Sequence, residues 1–201
     1  HRKYGEAHAE IEAIQNVTDP SRIKGATFYV SLEPCTHLGK TPPCVLSIID
    51  LKHRRVVIGS GDTNPTVGGK GIDRLQREGI EVVEGVLEEA CRLLNKRFFT
   101  FHEKRRPYII LKWAQTQDGF LDRNREEEET GIQWISSPET QALVHKWRAE
   151  EAGILVGRNT ILNDNPSLTV RQVAGTNPVR IVIDSNLKLS NQLGVFSDEA
   201  P

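Results

Sequence analysis

His8 and Glu10 stand two residues apart near the start of the chain, and Cys35, directly after Pro34, is followed by Cys44. Imidazole nitrogen and thiolate sulfur are preferred zinc ligands, and a catalytic zinc keeps one of its four positions open for water. One histidine and two cysteines fill three positions and leave the fourth. A zinc ion so held lowers the pKa of its water to about 7, which makes hydroxide available at neutral pH. Glu10 lies near the start of the same predicted helix as His8 and can reach that water without ligating the metal. It would take the water's proton and deliver protons to a ring and its leaving ammonia. A purely structural zinc normally takes four protein ligands and needs no such glutamate. The expected chemistry is hydrolysis of an amino group from a heterocyclic base, with Glu10 as catalytic residue and His8, Cys35 and Cys44 as metal ligands.

The order His-x-Glu, then Pro-Cys, then Cys is that of the zinc deaminases, whose short signature sets two residues between the cysteines. Here the spacer is longer, THLGKTPP. Both its ends are pinned to the metal, so it must border the site. His37, Lys40 and Thr41 in it can donate hydrogen bonds to phosphate. A deaminase for a plain nucleoside does not need such donors, whereas one for a phosphorylated substrate does; a merely solvated Lys40 is the alternative. The third thiol, Cys91, sits among Leu87, Leu93 and Leu94 on a predicted helix and reads as core.

The elements that must position these residues alternate. Helix is expected over 8–15, 45–51, 70–78 and 87–98, and strand over 27–32, 55–59 and 80–84, with TDPSRIKG a loop. Strands alternating with helices argue for an α/β layered sheet. A charged stretch closed by proline, HEKRRP at 102–107, marks a boundary, giving domains at 1–102 and 103–201. The second opens with an expected strand over 108–113, a turn at Asp118-Gly119, and a charged loop over 122–130. Glu126 to Glu129 in that loop read as a solvated hairpin tip, a protein- or metal-binding acidic patch being the alternative. A helix capped by Ser137 with Pro138 in its first turn runs to Glu150, followed by strands over 153–157 and 179–184.

The chain has 201 residues and a net charge of −1, so there is no electrostatic footprint of bulk nucleic-acid binding. No apolar run reaches membrane-spanning length, and no signal-peptide pattern opens the chain. Three cysteines are too few, and odd in number, for a disulfide framework, so reduced thiols in a cytoplasmic protein are expected. The chain starts at His1 without methionine, with a site motif almost at once, and reads as an internal piece of a longer protein.

HAE, EPCTHLGKTPPC and DTNPTVGGKG (62–71), then LKWAQTQDG (111–119), QWISSPE (133–139), DNPSLTVR (164–171) and PVRIVIDS (178–185), together resemble the bifunctional deaminase/reductases of riboflavin biosynthesis. The resemblance covers nearly the whole chain. It implies a three-layer domain of cytidine-deaminase-like fold, then a dihydrofolate-reductase-like domain, both truncated. The first would deaminate a diaminopyrimidinone ribosyl phosphate; the second would reduce the ribosyl to a ribityl group with NADPH. By the same resemblance His1 borders the deaminase pocket. Ala114, Trp134, Thr160, Asp164 and Ser185 match NADP-contacting positions, and Arg148, Leu168 and Arg171 match substrate positions, with Lys112 beside them. Two arginines suit a sugar phosphate, which guanidinium binds in bidentate fashion. Trp134 offers a flat apolar wall, a core position being its alternative. The cation of Arg148 would also favour a helix C-terminus. No G-x-G-x-x-G occurs, so a Rossmann site has no support. Ile132 stands where the family usually has a substrate-contacting serine. The family's deaminase begins before His1 and its reductase continues past Pro201, into a glycine-rich NADP loop and a substrate-binding glutamate.

Two rival readings stay open from the residues. One is a single-activity deaminase of a nucleoside or tRNA base with a non-catalytic appendage; the other is a scaffold domain around structural zinc. The partner expected is a small phosphorylated pyrimidine, with neither nucleic acid nor membrane. Homo-oligomers remain open, since related deaminases and reductases commonly associate.

Overall fold

A computed structural model describes residues 5–64, 68–125 and 129–197. His1 and most of the acidic run at 126–129 lie outside these residues. The chain divides into two compact units between Ile110 and Leu111.

The first unit is built on a three-stranded parallel sheet in the order β1-β2-β3: β1 (Thr27–Leu32), β2 (Arg55–Ser60) and β3 (Glu81–Glu84). Thr27 aligns with Arg55 and Arg55 with Glu81. The central strand RVVIGS is buried at every position after Arg55, as a parallel strand covered on both faces must be. Helices α1 (Ala9–Gln15), α2 (Cys44–Asp50) and α3 (Lys70–Arg77) accompany it. Val45 and Ile48 of α2 and Ile72 and Leu75 of α3 meet Val56 and Ile58 of β2 and Ile80 in one core. The loop over 18–25 contains a short 3-10 turn, Pro20–Arg22, capped by Asp19, which accepts from the Ser21 N–H at 3.1 Å.

The single helix expected over 87–98 is two, α4 (Glu88–Leu94) and α5 (Lys96–Lys104). They break at Asn95, whose side-chain amide donates to the Cys91 carbonyl at 2.9 Å, the local competition with helix that asparagine favours. Leu87, Leu93 and Leu94 are exposed, so the apolar cluster expected around Cys91 does not form. Cys91 instead lies half-buried against Gly59, where a Cβ would come within 2.2 Å of its sulfur. The first unit also extends past the expected boundary at 102. α5 runs to Lys104, and Lys96 and Arg97 lie over the Tyr108 ring at 5.0 and 5.7 Å, which ties the next residues to this unit.

The second unit holds α6 (Pro138–Glu150), β4 (Gly153–Gly157), α7 (Arg158–Asp164) and β5 (Val179–Ile183). β4 and β5 pair in parallel, Gly153 with Val179 through Gly157 with Ile183. Ser137 caps α6 by accepting the Thr140 N–H, as its position before Pro138 predicts. Ile161, Leu168 and Val195 form a small core with Ile154, Val156 and Val182. The turn at Asp118-Gly119 is present, closed by Gly119 N–H donating to the Thr116 carbonyl at 3.0 Å. The strand expected over 108–113 is absent. The apolar run is there, but it forms no ladder with any described strand, and strands exist only as paired partners. Lys112 therefore lies on an irregular, exposed segment. No described helix is long and apolar enough to cross a membrane.

Candidate functional site

His8 is the residue just before α1, Cys35 follows β1 by a short loop, and Cys44 is the first residue of α2. Those three elements bring the ligand atoms of His8, Cys35 and Cys44 within 4.8 Å of one another. The His8 Nδ1 atom lies 3.6 Å from the Cys35 sulfur and 3.3 Å from the Cys44 sulfur. A tetrahedral zinc with bonds of about 2.3 Å to sulfur and about 2.0 Å to nitrogen sets such atoms about 3.5 Å apart. The three residues fit zinc by donor type and by spacing. Among the described residues this is the one group of three or more histidine, cysteine or acidic ligands so arranged.

The two thiols are electrostatically unequal. Cys35 is drawn down to about 5, first by the hydrogen bond from the Cys44 side chain, with the Cys44 N–H at 3.3 Å and the His8 charge acting the same way against burial. Cys44, fully buried, is pushed up by its hydrogen bond to Cys35, then by burial and by the Glu10 carboxylate. Cys35 is thus the first of the pair to ionise, and zinc would take both as thiolates. Glu10 is no member of the three-ligand group, yet it sits close enough to act on Cys44.

The spacer between the cysteines folds beside this group. His8, His37, Lys40 and Thr41, with Gly5 and Glu6, line a cleft of about 150 Å³. The Lys40 chain lies against Gly5, whose added Cβ would stand 3.0 Å from the lysine Cδ. His37 and Lys40 are exposed. His1, expected at the same pocket, is outside the described residues.

Two acidic residues near the loop that carries Cys35 have no role from the sequence reading. Glu33 directly follows β1, before Pro34, and is 3 % exposed. Its Oε2 accepts the N–H of Asp62 (3.2 Å) and Gly69 (2.9 Å), and its Oε1 those of Gly71 (2.8 Å) and Ile72 (3.3 Å). Asp62 is pushed up by burial and by Glu33, while the Asn64 amide, His102 and His37 pull it down. The signal that could have found them is a carboxylate closing an apolar strand, TFYVSLE, opposite a later glycine run, GGKG.

In the second unit the predicted residues are more dispersed. Thr160 and Asp164 lie one turn apart on α7, and Ser185 follows β5. Gly157, which precedes α7, pairs with Ile183, so the start of α7 and Ser185 follow the carboxyl ends of the parallel strands, where α/β sheets bind ligands. Asp164 accepts from Arg125 at 3.4 Å, and burial pushes its carboxyl up. Gly131 N–H donates to the Asn163 carbonyl at 2.6 Å, which ties the approach to Trp134 to the same helix. Trp134 is 60 % exposed, so it is no core residue. These residues can offer a flat ring, hydroxyls and a carboxyl to a dinucleotide. Ala114 and Lys112 lie on the unpaired 107–116 segment, half-buried and exposed respectively.

Arg148 and Arg171 converge on one loop. Arg148 donates to the Thr169 carbonyl at 2.6 Å, and Arg171 to the hydroxyls of Ser167 (2.8 Å) and Thr169 (2.9 Å). Burial, then Arg171, pulls Arg148 below the usual guanidinium range, and its Nε is buried without a hydrogen-bond partner. Buried His145 accepts the Arg171 N–H at 3.2 Å through Nδ1, which fixes the loop. Two cations held together with a donor left over suit an anion. Leu168 is buried in the core of this unit, with its backbone in the left-handed region at φ 57°.

The family model described as the cytidine and deoxycytidylate deaminase zinc-binding region matches residues 1–60, and the RibD C-terminal domain model matches 107–201. The riboflavin biosynthesis protein RibD of Aquifex aeolicus is 46 % identical over 100 % of this chain and 55 % of its own length. The one from Escherichia coli is 38 % identical over 94 % of this chain and 54 % of its own. The chain thus spans about half the length of the curated relatives it matches. Among solved structures, a diaminohydroxyphosphoribosylaminopyrimidine deaminase/5-amino-6-(5-phosphoribosylamino)uracil reductase from Thermotoga maritima superposes with a TM-score of 0.87 at 41 % identity. It covers 98 % of this chain and 56 % of that one. Acinetobacter baumannii RibD gives 0.84 at 31 % identity, covering 98 % and 56 %.

Proposed function

Because this chain belongs to the RibD family of riboflavin biosynthesis proteins, we propose that its two units carry out successive steps on one substrate. The first hydrolyses the amino group from a diaminopyrimidinone ribosyl phosphate. The second reduces the ribosyl to a ribityl group with NADPH. The observation that carries the first step is the trio of His8, Cys35 and Cys44 with Glu10 beside it but outside it.

Zinc bound by the three ligands would supply a Lewis acid that makes water nucleophilic near neutral pH. Glu10 takes the proton of the attacking water and returns protons to the ring nitrogen and the departing amine. Water adds, ammonia leaves, and the ring carbon becomes a carbonyl. His37 and Lys40, on the cleft at His8, supply hydrogen bonds to the ribosyl phosphate.

In the second unit, Arg148 and Arg171 hold the phosphate, and Lys112 and the Leu168 backbone border the sugar. Trp134, Thr160, Asp164, Ser185 and Ala114 hold NADPH, whose chemistry is hydride donation to the sugar. Free thiols at all three cysteines agree with a cytoplasmic setting. The test is ammonia release and NADPH oxidation on the pyrimidine ribosyl phosphate, by the full-length protein beside this chain. Both activities in the full-length protein support the reading. Zinc-loaded protein that binds NADPH yet releases no ammonia overturns its first half.

A further inference from the structure

Glu33 has no part in the chemistry above, yet it is placed where burial is expensive. A carboxylate taken out of water costs several kcal/mol unless hydrogen bonds replace its hydration. No ion pair of the described residues includes it. Four backbone N–H groups surround it instead, two on each oxygen, all from 62–72 and all contributed by residues 29 to 39 positions later in the chain. Gly71 and Ile72 are the second and third residues of α3, where N–H groups have no acceptor within their own helix. Gly69, at the cap, offers no side chain of its own. Glu33 is therefore the cap of α3, supplied from the end of β1, and it meets the positive end of that helix.

The fit is close from both sides. A Cβ on Gly71 would stand 2.4 Å from the Pro34 carbonyl and 3.0 Å from Glu33 Oε1. Pro34 leads directly into the ligand Cys35, and the Asp62 N–H is bonded to Glu33 at 3.2 Å. One carboxylate thus joins the loop that carries a zinc ligand to the segment that carries Asp62.

We propose that Glu33 is a positioning residue: by gathering the amides of Asp62, Gly69, Gly71 and Ile72 it holds Asp62 beside the loop that carries Cys35, as a second wall of the pyrimidine site. The proposal rests on the deaminase reading for its substrate, but the clamp itself does not depend on it. The clamp is fixed by two acceptor oxygens, each taking two N–H groups. In Glu33→Gln the amide nitrogen must face one of the two donor pairs and leaves that pair without an acceptor.

The test is amide hydrogen exchange resolved by residue on the zinc-loaded full-length protein, with zinc content and steady-state kinetics measured on the same samples. In the unaltered protein, Gly69, Gly71 and Ile72 are protected although they belong to no sheet, and adding the pyrimidine ribosyl phosphate slows them further. In Glu33→Gln at least one donor pair exchanges about ten- to a hundredfold faster. Zinc content stays at that of the unaltered protein, and KM rises about tenfold with kcat nearly held. Unprotected amides in the unaltered protein overturn the clamp, even if the variant fails to fold. Amides indifferent to substrate while ammonia is released overturn the role in the site. Faster exchange with an unchanged KM does so too, and zinc lost with the substitution assigns Glu33 to the metal loop instead. Protein that holds zinc and the clamp but releases no ammonia counts against the deaminase reading alone.

Discussion

The two units use parallel sheets in different ways. In the first, the central strand is buried on both faces, and three separate elements project His8, Cys35 and Cys44 onto one point. In the second, β4 and β5 cover a core on one side only, and Leu155, Ile181 and Ile183 on the other side are exposed. The residues expected to form its site lie on helix ends and loops, tied by single hydrogen bonds such as Gly131 to Asn163. A metal site needs its ligand atoms within a few ångströms, so the first unit must be built tightly around it. The anion and dinucleotide contacts proposed for the second unit would be spread over a larger ligand and tolerate a looser frame. On that proposal, convergence fixes the chemistry of the first unit, and a set of separable contacts that of the second.

That contrast can be broken by mutation. The largest effect is expected from Cys44→Ala, which removes a ligand from a fully buried position at the start of α2. Zinc should no longer be retained and ammonia release should be lost with it, while NADPH binding by the full-length protein is retained. Metal analysis and NADPH fluorescence titration check both halves. Loss of NADPH binding as well would show that the units are not separable.

Glu10→Gln should keep zinc and slow ammonia release by about 10²–10⁴-fold, the usual reach of acid–base catalysis. Unchanged turnover would remove Glu10 from the mechanism. Arg171→Ala should raise the KM of the reduction about tenfold and leave ammonia release and zinc untouched. A matching loss of both activities would place the arginine outside the reductase site.

A smaller effect sharpens the view of the metal group. With zinc stripped, alkylation of Cys35 should climb as pH rises through about 5 and then stay level to neutrality, because its thiolate is held below the ordinary thiol range. The sign follows from the direction of the shift: the thiolate is present above about 5 and is lost as pH falls through it. Mass spectrometry of the alkylated peptides reads this, and added zinc should block it. A rise confined to pH 8 and above would mean that Cys44 does not donate to Cys35. The smallest effect is Ser137→Ala, which removes the cap of α6 and should lower stability by about 1 kcal/mol in a denaturant titration.

The metal group was legible in the sequence because its chemistry dictates residue type as well as spacing, and His8, Cys35 and Cys44 satisfy both. β1 and α6 were legible too, the first from its strand-forming run and the second from Ser137 and Pro138 at its start. The break at Asn95 was not, because asparagine interrupts a helix only where its side chain finds a backbone carbonyl, here that of Cys91. The 108–113 run showed the limit of pattern reading: strand-forming residues do not make a strand without a partner. Glu33 was hidden for another reason. Its partners are backbone amides some three dozen residues away, and backbone leaves no mark on the sequence beyond the glycines that let it approach.

The central claim, a zinc with three protein ligands and one position left for chemistry, is most directly tested by zinc K-edge X-ray absorption on the purified protein. The expected shell is two sulfurs at about 2.3 Å, one imidazole nitrogen at about 2.0 Å and one further light atom that exchanges with solvent. A third sulfur, or a second imidazole closing the fourth position, would contradict it and make the site structural.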